Sequence, residues 1–143
     1  MTKSVKVAAV IDASVVAKWF NNEELTYKAL IVKEGVVAGS WLLHGPIHLL
    51  YEVGNSIWKN RALSAGDCIK AIEALSNMNI ELAAPSIDYS SRTMRLARDL
   101  GITYYDALYI QLSIDLDIIL LSADQKLLSK AKTKTEVLNL KDI

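Results

Sequence analysis

Val5-Lys6-Val7-Ala8-Ala9-Val10-Ile11-Asp12 (V-K-V-A-A-V-I-D) is apolar on both faces apart from Lys6, and it stops on a carboxylate. A run of that kind suits a central parallel strand over Val5–Ile11, covered above and below by other elements. The residues that follow, Ala13 to Phe20, read as a helix broken at Asn21-Asn22. Glu23 to Lys33 restarts a helical pattern with Leu25, Ala29 and Val32 at core spacing and Gly35 as the residue past its end. Val36 to Leu43 holds a second strand.

Gly45-Pro46 then opens a helix, because proline is favoured at the first helical position. It runs to about Asn60 with a core stripe of Ile47, Leu50, Val53, Gly54 and Ile57, and its other side carries His48, Glu52, Asn55 and Lys59. Ser64 caps the next helix, striped by Cys68, Ala71, Ile72, Leu75 and Met78. Asn79 to Ala83 is a short strand, Pro85-Ser86 starts a helix to about Leu100 closed by Gly101, and Thr103 caps another to about Ile114. Asp117 to Ser122 reads as a buried strand, Asp124 to Lys132 as a helix, and Glu136 to Leu140 as a final strand. Strands alternating with helices predict an α/β fold: a mostly parallel central sheet of four to five strands, right-handed crossovers, and helices on both faces.

The 143 residues fit a single domain over 1–143, with no repeat, low-complexity tract or linker. Sixteen basic residues balance sixteen acidic ones, so net charge selects no partner and any nucleic-acid site must come from local clustering. No apolar run reaches spanning length, and no signal-peptide pattern follows the lysines of Met1 to Lys6. Cys68 is the one cysteine, which excludes a disulfide framework, fits a cytoplasmic setting, and reads as a small buried hydrophobe.

In such sheets sites form outside the carboxyl ends of the strands, where strand order reverses. Asp12 and Asp124 both fall just past the end of an apolar strand. Asp106 lies in the first turn of a helix that is apolar nearly all round, three residues after its cap Thr103, the spacing of a capping box. Glu52 lies on a helix flank beside Asn55. Each has an ordinary reading alone: strand-end turn, cap, cap partner, solvated helix face. Gathered together they would repel, and a divalent cation resolves the repulsion. Oxygen-only ligands favour Mg²⁺ or Mn²⁺ over zinc. His44 reads as a loop residue and His48 as a surface one.

These residues also carry a resemblance. Val10-Ile11-Asp12-Ala13-Ser14, Tyr51-Glu52-Val53-Gly54-Asn55, Thr103-Tyr104-Tyr105-Asp106-Ala107-Leu108-Tyr109 and Leu121-Ser122-Ala123-Asp124-Gln125-Lys126-Leu127 resemble, in order and spacing, the motifs of the PIN-domain nucleases, and more closely the VapC-type ribonuclease toxins of toxin–antitoxin pairs. The likeness covers nearly the whole chain. It implies a three-layer α/β/α fold, a Mg²⁺- or Mn²⁺-dependent endoribonuclease acting on RNA, a homodimer, and an antitoxin protein whose tail covers the active site. Asp12, Glu52, Asp106 and Asp124 match the family's acidic quartet. Ser14, Asn55 and Thr103 match its flanking polar positions, and Ser122 stands where the family often has threonine.

On this reading Asp12 and Asp106 are the direct ligands, Asp124 and Glu52 complete the site directly or through water, and Ser14, Asn55, Thr103 and Ser122 fix the carboxylates. Lys18, Lys59 and Arg61 lie near the mouth, whereas Arg92, Arg95 and Arg98 read as a solvated helix face. Tyr104 and Tyr105 are left between base stacking and interface packing. The region of Trp19 is the candidate groove for an antitoxin helix. A phospho-acceptor module would need an acidic pair near the first strand, and a paired-aspartate phosphatase an aspartate where Ser14 stands. An RNA-processing nuclease outside a toxin system, or a silent PIN-like binding module, would keep the fold.

Overall fold

The computed structural model describes residues 6–143, so Val5 of the expected first strand lies outside the described residues. The order is β1 (Val7–Ile11), α1 (Ala13–Val16), a 3₁₀ turn (Ala17–Trp19), α2 (Thr26–Val37), β2 (Trp41–Pro46), α3 (His48–Lys59), α4 (Ala65–Ser76), β3 (Ile80–Ala83), α5 (Ile87–Leu100), α6 (Tyr104–Leu116), β4 (Ile119–Ser122), α7 (Gln125–Ala131), β5 (Val137–Asn139) and a closing 3₁₀ turn (Leu140–Asp142). All the strand pairs are parallel, in the order β3-β2-β1-β4-β5. The chain steps from β1 to β2 and β3 on one side, then returns to β4 and β5 on the other. Right-handed crossovers therefore place α1 to α4 on one face and α5 to α7 on the opposite one, the three-layer α/β/α arrangement expected. Strand order reverses beside β1, so a crevice opens at the carboxyl ends of β1 and β4.

The core is the carboxyl half of β1 (Ala9, Val10, Ile11), Leu43 of β2, and Leu120 and Leu121 of β4, with Leu49, Val53 and Ile57 from one face and Ala107, Tyr109 and Ile110 from the other. Helix ends follow local chemistry. Ser64 and Asp67 form a full capping box, Ser86 Oγ accepts from the Tyr89 amide, and Gly101 closes α5 in the left-handed region at φ 65°.

Several boundaries differ from the sequence reading. The Ala13–Phe20 helix is a single α turn continued by a 3₁₀ turn to Trp19. Leu25, expected inside α2, precedes it at φ 66°, and Thr26 leads the helix. Gly35 lies within α2, not past its end. A Cβ there would stand 2.2 Å from Trp41 Cδ1, so the glycine makes room for that ring. Val36 and Val37 extend α2, and the second strand is shifted to Trp41–Pro46. Gly45-Pro46 thus ends β2 and does not open α3. Proline, having no N–H to give a ladder, is tolerated at the strand's end, and a Cβ on Gly45 would meet Leu49 Cδ2 at 2.7 Å, where α3 folds back over the sheet. The α3 stripe moves accordingly to Leu49, Val53 and Ile57, with Ile47 and Leu50 only half-buried. Cys68 is half-buried, as are Ala71 and Met78, while Ile72 is exposed.

Candidate metal centre

Asp12 is set by β1: the strand ends at Ile11 and the next residue, extended at φ −99° and ψ 170°, leads α1. The residue is 6 % exposed, and its side chain caps nothing. Ser14 Oγ donates to Asp12 Oδ1 at 2.6 Å and accepts from the Ala123 amide at 2.9 Å, and it stands 3.4 Å from Ser122 Oγ. Ser122 Oγ in turn accepts from the Asp124 amide at 2.9 Å. The two hydroxyls tie the ends of β1 and β4 together and hold Asp12 between them. Asp124 Oδ1 accepts from the Lys126 and Leu127 amides at 3.0 and 3.2 Å, so this carboxylate also caps α7.

Asp106 enters from α6. Thr103 Oγ1 accepts from the Asp106 amide at 3.1 Å, one half of the expected box, and the half-buried carboxyl feels the charges of Asp124 and Glu52. Glu52, from α3 on the opposite face, accepts at Oε1 from the Tyr109 hydroxyl at 3.0 Å. His48 Nε2, one helical turn before Glu52, stands 2.8 Å from the same oxygen. That approach lies off a hydrogen-bonding line, and neither ring nitrogen of His48 has an aligned partner although both are buried. The His48 ring packs against Tyr109 (4.8 Å between centroids) and Tyr105 (5.4 Å).

The charges feel one another. Burial, more than anything else, pushes the Asp12 carboxyl from 3.8 up to about 7; the Ser14 and Ser122 hydrogen bonds oppose it, while Asp124 and Glu52 add to the rise. Burial also raises Asp106, again with Asp124 and Glu52 adding and with His48 and Thr103 opposing. Tyr109 is held protonated by burial and by the charges of Glu52 and Asp12, so its hydroxyl remains a donor. Among the described residues no three carboxylate, histidine or cysteine side chains stand close enough to form a finished cage. The four acids share one crevice and one field, not one coordination sphere. The donor set nonetheless fits a hard dication: carboxylate oxygens predominate, and the two most perturbed are raised by burial and by neighbouring negative charge, both of which a cation offsets.

The flanking residues divide. Ser14, Ser122 and Thr103 are where the sequence reading put them. Asn55 is exposed and hydrogen-bonds none of the four carboxylates, while neighbouring Ser56 accepts from Asn21 Nδ2 at 2.8 Å. His48 is not a surface residue but a wall of the site, and His44 belongs to β2 instead of a loop. Tyr109 was missed altogether. The available signal was position: it follows Asp106 by three residues, on the same side of α6. Trp19 is core, 8 % exposed with its indole N–H donated to Ala29 O at 2.9 Å, so it offers no docking groove. Lys18 pairs with Glu23 at 3.1 Å, and Arg92 is held by Asp88 and Asp115.

The family model described as PIN domain matches residues 9–133. A protein described as Exonuclease VapC9, from Pyrobaculum aerophilum, is 31 % identical over 106 residues, covering 68 % of this chain and 77 % of its own. The crystal structure of PAE2754 from the same organism superposes with a TM-score of 0.67 at 23 % identity, covering 98 % of this chain and 94 % of that one. VapC20 of Mycobacterium tuberculosis, described as a sarcin-ricin loop cleaving toxin, gives 0.64 at 15 % identity over 85 % of this chain and 93 % of its own.

Proposed function

Because this chain belongs to the PIN-domain family, we propose that it is a Mg²⁺- or Mn²⁺-dependent endoribonuclease, the toxin of a toxin–antitoxin pair, working as a homodimer restrained by an antitoxin protein. The observation that carries this is the shared field of the acids: Asp12 and Asp106 are both raised by burial and then by Asp124 and Glu52. The description of VapC20 supports RNA as the substrate and the toxin role, and that of VapC9 supports nuclease chemistry.

Asp12 and Asp106 would hold the cation directly, with Asp124 and Glu52 completing the site directly or through water. Bound there, the ion would lower the pKa of water and act as a Lewis acid on the phosphate. The Ser14 and Ser122 hydroxyls keep Asp12 aimed into the crevice. Thr103 fixes the first turn of α6 and with it Asp106. Glu52, which accepts from the Tyr109 hydroxyl, would orient the attacking water. The exposed Lys59 and Arg61 at the end of α3 offer backbone contacts.

The test is cleavage of a circular single-stranded RNA with Mn²⁺. Linear product that disappears in chelator supports a metal-dependent endonuclease. Digestion restricted to linear RNA or DNA would replace it with an exonuclease, the activity in the name of the Pyrobaculum relative, and undiminished cleavage in chelator would refute the metal.

A further inference from the structure

Beside the carboxylates lies a small cavity of about 220 Å³, between the carboxyl ends of β2 and β3 and the helices α3, α5 and α6. Its walls include Pro46 and His48, the exposed Tyr51, Pro85 and Ser90, and Tyr104 of α6. Among the described residues no carboxylate, lysine or arginine lines it. It adjoins the acidic crevice at His48, which walls the cavity while standing 2.8 Å from Glu52.

We propose that this cavity is a nucleobase subsite, taking one unstacked base of single-stranded RNA next to the phosphate held at the acids. The inference deepens the nuclease reading above and rests on it for the identity of the chain bound. Two features argue for a base. Aromatic and proline faces without charge suit the uncharged, planar part of a nucleotide, whose π-face stacks on tyrosine. At about 220 Å³ the space is smaller than the roughly 300–1,000 Å³ of a pocket that takes a whole ligand, so it fits a ring and not a longer molecule. The Ser90 hydroxyl on the cavity wall would give a base edge a polar contact. Recognition of sequence in RNA works in this way, by splayed bases stacked on aromatics, which gives the enzyme a means of choosing where to cut.

Binding and cleavage are measured separately. Fluorescein-labelled oligo(A), oligo(U) and oligo(C) are compared by anisotropy, in metal-free buffer, with a ribose-phosphate chain of equal length carrying no bases. Backbone charge is then constant and only the bases differ. The wild type should bind a base-bearing chain roughly 5- to 100-fold more tightly than the abasic one, the range of a single aromatic stack. Tyr51→Ala should lose most of that difference, and Tyr51→Phe, which keeps the ring, should retain it. Tyr51 is 74 % exposed, so its truncation leaves the core untouched. Tyr104→Ala serves as a second variant, with a thermal melt as the folding check.

Discrimination that is absent in the wild type, or unchanged in both alanine variants, overturns the subsite. So does unchanged discrimination accompanied by loss of a co-expressed protein partner, which would assign the cavity to protein contacts. Cleavage with Mn²⁺ decides the other question. Base preference without cleavage would sink the nuclease reading and leave the subsite standing, whereas cleavage without base preference would do the reverse.

Discussion

At the scale of the residue, Asp12 is the group with the most at stake. Its carboxyl titrates near 3.8 when free and about 7 when folded. Between those values the folded chain holds a proton that the unfolded chain has released, so stability falls as pH rises through this window and levels off above 7. Asp12→Asn keeps an oxygen for the Ser14 hydroxyl and carries no charge. Metal-free variant should be more stable than wild type at pH 8 by a few kcal/mol, taking about 1.4 kcal/mol for each tenfold change in proton affinity, with little difference at pH 4, and it should not cleave RNA. Urea melts at the two pH values check this, and parallel pH slopes in the two proteins would contradict it. Tyr109→Phe tests the positioning of Glu52. The ring stays packed, the hydroxyl is lost, and kcat should drop roughly 10- to 100-fold, the usual cost of removing a partner that orients a carboxylate at a metal site. KM should hardly move, and a KM defect with normal kcat would deny Tyr109 that role. The sequence exposed Asp12, Asp106 and Asp124 because each sits at an element boundary, where a carboxylate has a local reason to be read. Tyr109 was hidden because an aromatic on an apolar helix reads as core, and His48 because a histidine on a polar helix flank reads as solvated. The bond between Tyr109 and Glu52 joins residues 57 apart in the chain, a fact of tertiary structure.

Elements were legible in kind more than in extent. The alternation of strand and helix, the caps at Ser64, Ser86 and Thr103, and the closing Gly101 are local signals, and all appear in the structure. The errors cluster between Leu25 and Leu50, where glycine and proline do tertiary jobs. Gly45-Pro46 has the pattern of a helix start, but it ends a strand so that Leu49 can close over Gly45. Gly35 has the pattern of a helix end, but it is a gap for Trp41. Gly35→Ala therefore gives opposite expectations at the two levels. As a helix-interior residue alanine would gain up to about 1 kcal/mol in propensity. The 2.2 Å approach to the indole, however, demands that Trp41 move and β2 with it. Overpacking of this kind costs about 1–3 kcal/mol, so the net outcome should be a lower Tm together with altered Trp41 fluorescence. A raised Tm with unchanged fluorescence would mean that the ring has room to turn.

For the whole molecule, the topology explains why acids so distant in sequence share a field, and why they stop short of forming a cage. β1 and β4 bring Asp12 and Asp124 to the reversal of strand order, and the two helical layers bring Glu52 from one face and Asp106 from the other. Carboxyl groups supplied from both faces of one sheet repel one another when ionised, and a cation offsets that repulsion. Cation binding must then expel the proton from Asp12, so affinity should climb with pH up to about 7 and flatten above it. An ion that binds only the folded state raises stability by about 2.7 kcal/mol at a hundredfold excess over Kd. Mn²⁺ should accordingly raise the Tm of the wild type by roughly 10 °C at pH 8 and by much less at pH 5.5, while Asp12→Asn and Asp106→Asn should show little shift at either pH. Scanning calorimetry with and without Mn²⁺ measures this directly and needs no substrate. An equal shift at both pH values, or one that survives in both variants, would place the ion elsewhere on the protein and detach the acids from the chemistry assigned to them.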